Sequence, residues 1–290
     1  MWNQPCCFGL LGSYGSAEKP FPLTPEEEIS LVADAGFEGF FTGWSGSERL
    51  GLYRRLANER GLLYQSVHAP FTKIRALWHS GAEEAEAALG EQMKCLEDCA
   101  AVSVPIMVAH VFIGFEDHAP NERGIAYFDR LAKRARELGV KLALENTEGE
   151  EYLEAVMRAI APAYPETVGF CWDTGHEMCY NRGADMPGRF PGRLIATHIN
   201  DNLGIRDLSG GITWHDDLHL LPFDGIGDWE NIARRLADFD GPLTFELTTR
   251  SKPGRHDNDL YAKLSPAEFA AQAYQRACRV AALVQRARKA

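Results

Sequence analysis

The chain has 290 residues, 45% of them hydrophobic and 24% charged, with a formal net charge of −11. No apolar run approaches the roughly 20 residues that span a bilayer, and an acidic surface repels phosphate backbones, so neither a membrane nor nucleic acid is an expected partner. The seven cysteines include no CxxC pair and are read as reduced, mostly buried thiols.

The opening "MWNQPCCFGLLG" has no basic segment ahead of its apolar stretch, so it does not read as a signal peptide, and the expected location is cytoplasmic. A strand is predicted over residues 6–12. "LTPEEEISLVADAGF" then reads as a helix, with Thr24 as N-cap, Pro25 at the first helical position and Glu27 completing a capping box. Further strands are predicted over 37–44, 62–70, 105–112, 141–148, 168–176, 194–202 and 243–249, which makes eight. Several are continuous apolar runs, as parallel strands covered on both faces require. Segments such as "GAEEAEAALGEQMKCLEDCAAV" and "ERGIAYFDRLAKRARELGV" are amphipathic at helical spacing, and "SPAEFAAQAYQRACRVAALVQRARK" closes the chain as a long helix. Eight strand–helix units over residues 1–290 fit a single (β/α)8 TIM barrel. The competing open doubly wound sheet would usually carry a GxGxxG turn, whereas the glycines after the first strand stand at 9, 12 and 15.

Six consecutive strands deliver a His, Asp or Glu near their carboxyl ends: His68, His110, Glu145, Asp173 with His176, His198, and Glu246. Asp217 and His219 follow as a D-x-H pair before the last strand. In a barrel those ends converge on one mouth, where active sites sit. Singly, each has an ordinary structural explanation. Together, so many buried ionisable groups would cost several kcal/mol per charge without a compensating ion. A divalent cation removes that cost, and mixed imidazole and carboxylate ligands favour Zn, Mn, Co or Fe over Mg or Ca. Nine ligands exceed one coordination shell, so one to three ions are expected. No cysteine is assigned to the set, and His79, His118, His215 and His256 are read as surface residues.

The blocks "HAP", "LENTEG", "WDTGH", "THINDN" and "DLHLLPFDGIGDW" resemble the xylose-isomerase-like barrel superfamily, over nearly the whole chain. That superfamily holds sugar and sugar-phosphate isomerases and epimerases, inositol-catabolism enzymes and endonuclease-IV-type apurinic endonucleases. The resemblance implies that Glu145, Asp173, His198 and Glu246 are a metal quartet, that Glu145 and Glu246 are also the catalytic acid/base pair, and that His176 contacts substrate. It implies equally that His68, His110, His176, Asp217 and His219 complete the nine-ligand set of the trinuclear endonucleases, with Glu145 bridging two ions. Many isomerase members carry Pro-Gly-Glu-Gly where this chain has Pro222-Phe223-Asp224-Gly225. That loop is expected to shape the substrate mouth.

Two chemistries follow. One is isomerisation or epimerisation of a carbohydrate through an enediolate, with Zn or Mn as the cofactor. The other is multinuclear-zinc phosphodiester hydrolysis, with a lyase such as an inosose dehydratase as a further alternative. Charge disfavours the nuclease. Trp44, Phe71, Phe112 and Trp214 are candidates to cover a sugar. Arg250, Lys252 and Arg255, or Lys73 and Arg75, are candidates to hold a phosphate. A homo-oligomer is expected only from the barrel class.

Overall fold

A computed structural model describes residues 4–116, 118–209 and 211–289. All eight strands are present: β1 (Cys6–Leu10), β2 (Gly39–Gly43), β3 (Leu63–His68), β4 (Ile106–His110), β5 (Lys141–Glu145), β6 (Val168–Asp173), β7 (Leu194–His198) and β8 (Leu243–Phe245). The helices between them are α1 (Pro25–Ala35), α2 (Ser47–Arg60), α3 (Ala76–His79), α4 (Ala82–Ala101), α5 (Glu122–Leu138), α6 (Glu150–Ile160), α7 (Thr174–Cys179), α8 (Met186–Arg189) and α9 (Trp229–Arg235), with α10 (Pro266–Ala287) at the end. Local chemistry sets the boundaries. Thr24 and Glu27 form the expected capping box at α1, and Gly36 closes that helix in the left-handed region at φ 104°.

The strands run parallel in the order β7-β6-β5-β4-β3-β2-β1-β8. Ile199 closes the ring: its N–H donates to Thr244 O at 2.7 Å, and its carbonyl accepts from Glu246 N at 3.2 Å. This is a single (β/α)8 barrel. The strands are two to four residues shorter than their sequence pattern suggests, mostly because their last residues leave the sheet at the mouth. At 168–176 the strand ends at Asp173, and Asp173 itself caps α7 by accepting from His176 N at 2.6 Å.

Alternation along the strands separates two apolar sets. Met107, Leu142, Leu144, Phe170 and Trp172 pack outward in the large cluster shared with the helices. Ile106, Val108, Ala143, Cys171 and Ala196 form a small separate core. Two residues beyond Val108, Ala143, Cys171 and Ala196, on the same face, stand His110, Glu145, Asp173 and His198. The strand period of two therefore places the ionisable groups directly above the barrel's own core.

Candidate metal centre

Register brings the ligand candidates side by side. His110 pairs with Glu145 across β4–β5, and Asp173 with His198 across β6–β7. Glu145, Asp173 and His198 are fully buried, while His110, His219 and Glu246 are half-buried. All nine expected residues fall into three groups whose ligand atoms lie within 4.8 Å of one another: His68, His110 and Glu145; Glu145, Asp173, His198 and Glu246; and His176, Asp217 and His219. The first two share Glu145 and form a floor. The third forms a wall beside it.

The floor is dense. Glu145 Oε2 lies 3.2 Å from His68 Nε2 and 3.3 Å from His110 Nε2. His198 Nδ1 lies 2.9 Å from Glu145 Oε1 and 2.8 Å from Glu246 Oε2. Phe41 stacks on the His198 ring at 4.6 Å, and a Cβ on Gly9 would come within 2.6 Å of the Phe41 ring, so Gly9 makes room for that base plate.

In the wall, His219 Nε2 lies 2.8 Å from Asp217 Oδ2, and His176 Nε2 lies 3.6 Å from Asp217 Oδ1. His219 holds a backbone φ of 50°, the left-handed region that histidine enters only occasionally and that marks functional sites.

Backbone carbonyls fix the ring tautomers. His68 Nδ1 donates to Ala69 O at 2.8 Å, His176 Nδ1 to Asn146 O at 2.9 Å, and His219 Nδ1 to Glu246 O at 3.2 Å. Each ring then turns its Nε2 to a carboxylate oxygen. A neutral imidazole presents a lone pair there, so acceptor faces acceptor across about 3 Å, and the contact needs a cation or a proton between them. The electrostatics agree. Burial pushes the Glu145 carboxyl up, but His198, His110 and His68 outweigh it and hold it well below the usual range. Burial is likewise outweighed at Glu246, which His198 pulls down to about 2. Burial disfavours the charged form of His198, yet Glu145 and Glu246 hold its pKa well above normal. Asp173, with burial the dominant influence, rises to about 6. The buried set is thus able to hold a metal that would exchange for these protons.

Supporting residues escaped the sequence reading. Asn146, next to Glu145, clasps the Asp173 peptide: its Oδ1 accepts from Asp173 N at 2.8 Å, and its Nδ2 donates to Asp173 O at 2.9 Å. Asn200 Nδ2 donates to both Asp173 carboxylate oxygens, at 3.2 and 3.0 Å. The Thr-Gly step of "WDTGH" has its cause here, since a Cβ on Gly175 would stand 1.8 Å from Asn200 Oδ1. Cys171 was also missed. It forms a group of three with Glu145 and His198, although burial and the neighbouring carboxylates keep its thiol protonated. Period-two alternation back from Asp173 would have found it.

A cavity of about 770 Å³ opens above both sets, bordered by His68, His110, His176, Asp217, His219 and Glu246. Glu145 lies beneath that lining. Trp44, Phe71 and Trp214 border the cavity as expected, and the Trp44 indole is pinned by donating to Asp98 Oδ2 at 2.9 Å. Phe115 and Tyr180 join them. Phe112 does not: it is buried and stacked on Tyr152 at 4.0 Å. Of the cations, Lys252 and Arg75 border the cavity. Arg255 is buried against Asp216 and Asp257, and Lys73 pairs with Glu91. The Pro222–Gly225 turn also departs from expectation, since none of its residues borders the cavity. Phe223 takes a φ of 76° there, anchored by donating its N–H to Asp201 Oδ2 at 2.9 Å and by Arg279 over its ring at 3.8 Å. His118 and His256 are exposed, as expected. His79 is exposed but shares a 2.8 Å hydrogen bond with the Tyr152 hydroxyl, and His215 is half-buried.

The sequence signature of the xylose isomerase-like TIM barrel family matches residues 29–272. The chain belongs to that family. An uncharacterized protein, y4fM, of Sinorhizobium fredii is 29% identical over 258 residues, covering 75% of this chain and 79% of its own. A probable endonuclease 4 of Methanoculleus marisnigri is 29% identical over 271 residues, covering 82% of this chain and 93% of its own. A D-allulose 3-epimerase from a Methylomonas species, solved in complex with D-allulose, superposes with a TM-score of 0.67 at 15% identity, over 96% of this chain and 98% of that one. It shares the xylose isomerase-like fold. Among the described residues, no helix is long and apolar enough to cross a membrane.

Proposed function

We propose that this protein is a divalent-metal-dependent isomerase or epimerase of a sugar, sugar phosphate or related polyol, working through an enediolate. The observation that carries this reading is the placement of Glu246. Its carboxylate borders an aromatic-lined cavity while also belonging to the buried ligand group with Glu145, Asp173 and His198. Those four residues, with His68 and His110, would hold Zn or Mn. A bound ion supplies Lewis acidity toward a carbonyl and its neighbouring hydroxyl, which lowers the carbon acid's pKa.

The chain's own residues do the rest. Glu246, depressed to about 2 and hence ionised, is placed to take the proton from carbon. Glu145, sunk beneath His68 and His110, anchors the floor and is the other member of the acid/base pair, returning a proton to the enediolate carbon. His176 borders the cavity and contacts the substrate's oxygens. Trp44, Phe71 and Trp214 cover its apolar faces and exclude water. The fold of the D-allulose 3-epimerase supports this reading, and the cavity volume falls within the roughly 300–1,000 Å³ of small-molecule pockets. We take residues 1–290 as one domain of a cytoplasmic enzyme.

A second reading, zinc-dependent phosphodiester cleavage, is favoured by the assembly of all nine ligand residues and by the endonuclease 4 relative. Three of the five cations singled out for phosphate are engaged with carboxylates of the protein: Arg255 with Asp216, Lys73 with Glu91 and Lys252 with Asp217.

The test is proton exchange from a panel of ketoses and ketose phosphates into deuterated solvent. Exchange by the zinc- or manganese-loaded enzyme, lost by at least about 100-fold in Glu246→Gln, is the expected result. Exchange at an undiminished rate removes Glu246 from the chemistry. Cleavage of an abasic duplex with no exchange on any sugar transfers the assignment to the nuclease.

A further inference from the structure

The floor and the wall contain the same kinds of ligand, but among the described residues only the wall carries a lysine or arginine. Lys252 Nζ lies 3.2 Å from Asp217 Oδ2, the same oxygen that faces His219 Nε2 at 2.8 Å. The lysine is held from a second side, its ammonium lying 5.6 Å from the centre of the Trp214 ring. The stem therefore runs along the indole, and the charge is delivered to the carboxylate. In the floor, every ion-pair partner of Glu145 and Glu246 among the described residues is a histidine, whose ring nitrogen can itself ligate a metal. A lysine ammonium has donors only, so it occupies the carboxylate and offers a metal no ligand in return.

We infer that Lys252 stands in for a third cation: His176, Asp217 and His219 stay metal-free, and the centre holds at most two ions, both in the floor. A divalent ion on Asp217 would sit about 2 Å from its oxygen and be forced against the ammonium with no anion left to separate them. One carboxylate's single negative charge would then face three units of positive charge. What remains is a polar wall that borders the cavity at every member. Asp217 Oδ1 is buried with no hydrogen-bond partner, and the 3.6 Å gap between it and His176 Nε2 is wide enough for one hydroxyl oxygen to bond to both. Lysine capping thus turns a metal pocket into a receptor for a polyol hydroxyl. This rests on the proposed metal-dependent sugar chemistry, and it favours that chemistry over a trinuclear hydrolase.

The test counts ions rather than activity. The full chain is stripped with chelator and titrated with zinc, with stoichiometry read by calorimetry and by elemental analysis after desalting. The expected result is no more than two zinc ions per chain for the native protein and for Lys252→Arg, and one more for Lys252→Met or Lys252→Gln. That extra ion is lost again when His219→Ala is added. Circular dichroism confirms that each variant is folded. Three ions in the native protein, or no gain in both neutral variants, overturns the inference. A native chain that binds no zinc sinks the metal-dependent function instead, while the gain of one ion in Lys252→Met still decides what the lysine does.

Discussion

The floor around Glu145 and the wall around Asp217 are built from the same side chains yet differ in how their charge is balanced. Among the described residues, the floor pairs Glu145 and Glu246 with imidazoles alone, each of which can also ligate a metal. The wall balances Asp217 with imidazoles and with the ammonium of Lys252, which cannot ligate a metal. Ligand identity therefore says where a metal could go, and the nearest fixed cation says whether it does.

The sharpest way to break the contrast is Glu145→Ala. It strips the common anion from His68, His110 and His198, leaves buried charge uncompensated, and should cost the metal-free protein roughly 3–5 kcal/mol in urea unfolding. Zinc binding in the floor should vanish with it, while Lys252→Met should still gain its wall ion. Gly175→Ala is milder. Displacing Asn200 frees Asp173, and floor zinc affinity should fall about 10- to 100-fold, as expected when a ligand loses its supporting hydrogen bond. An unchanged affinity would show that Asp173 is held some other way.

The wall has its own signature in pH. Burial lowers the His219 pKa, but Asp217 overcomes it and raises the value to about 8. A pKa raised above the usual 6.5 stabilises the fold fully below pH 6.5 and loses that contribution as pH rises through 8. The shift is worth about 2 kcal/mol. Because the wall keeps its proton when the floor is loaded, this decline should persist in the zinc-bound protein and flatten in His219→Gln, as read by chemical denaturation at each pH. The smallest expected effect lies farther out. Asp98→Ala releases the Trp44 indole and should raise KM through about 1 kcal/mol of lost positioning, with kcat unchanged.

Much of this was legible in the sequence because strands obey a period of two and barrel strands share one mouth. His68, His110, Glu145, Asp173, His198 and Glu246 could be placed from their strand ends alone, and the D-x-H pair from its polar loop. What the sequence hid was contact between distant segments. Asn146 and Asn200 read as ordinary strand-end asparagines until the fold sets both on Asp173. Phe112 looked like a lid because it ends a strand, but its ring turns outward onto Tyr152. Lys252 looked like a phosphate ligand, because nothing local reveals a partner 35 residues upstream. Phe223 stands where the family resemblance led us to expect glycine, and its positive φ is held by Asp201 and Arg279, which no local pattern foretells.

Glu145 and Asn146 are consecutive, and the first anchors the floor while the second, through its carbonyl, orients His176 in the wall. A single peptide thus sets the distance between the two. The anchor of the floor and the acceptor that holds the His176 ring are therefore one rigid unit, and the spacing of the two ligand groups is built into the backbone of β5.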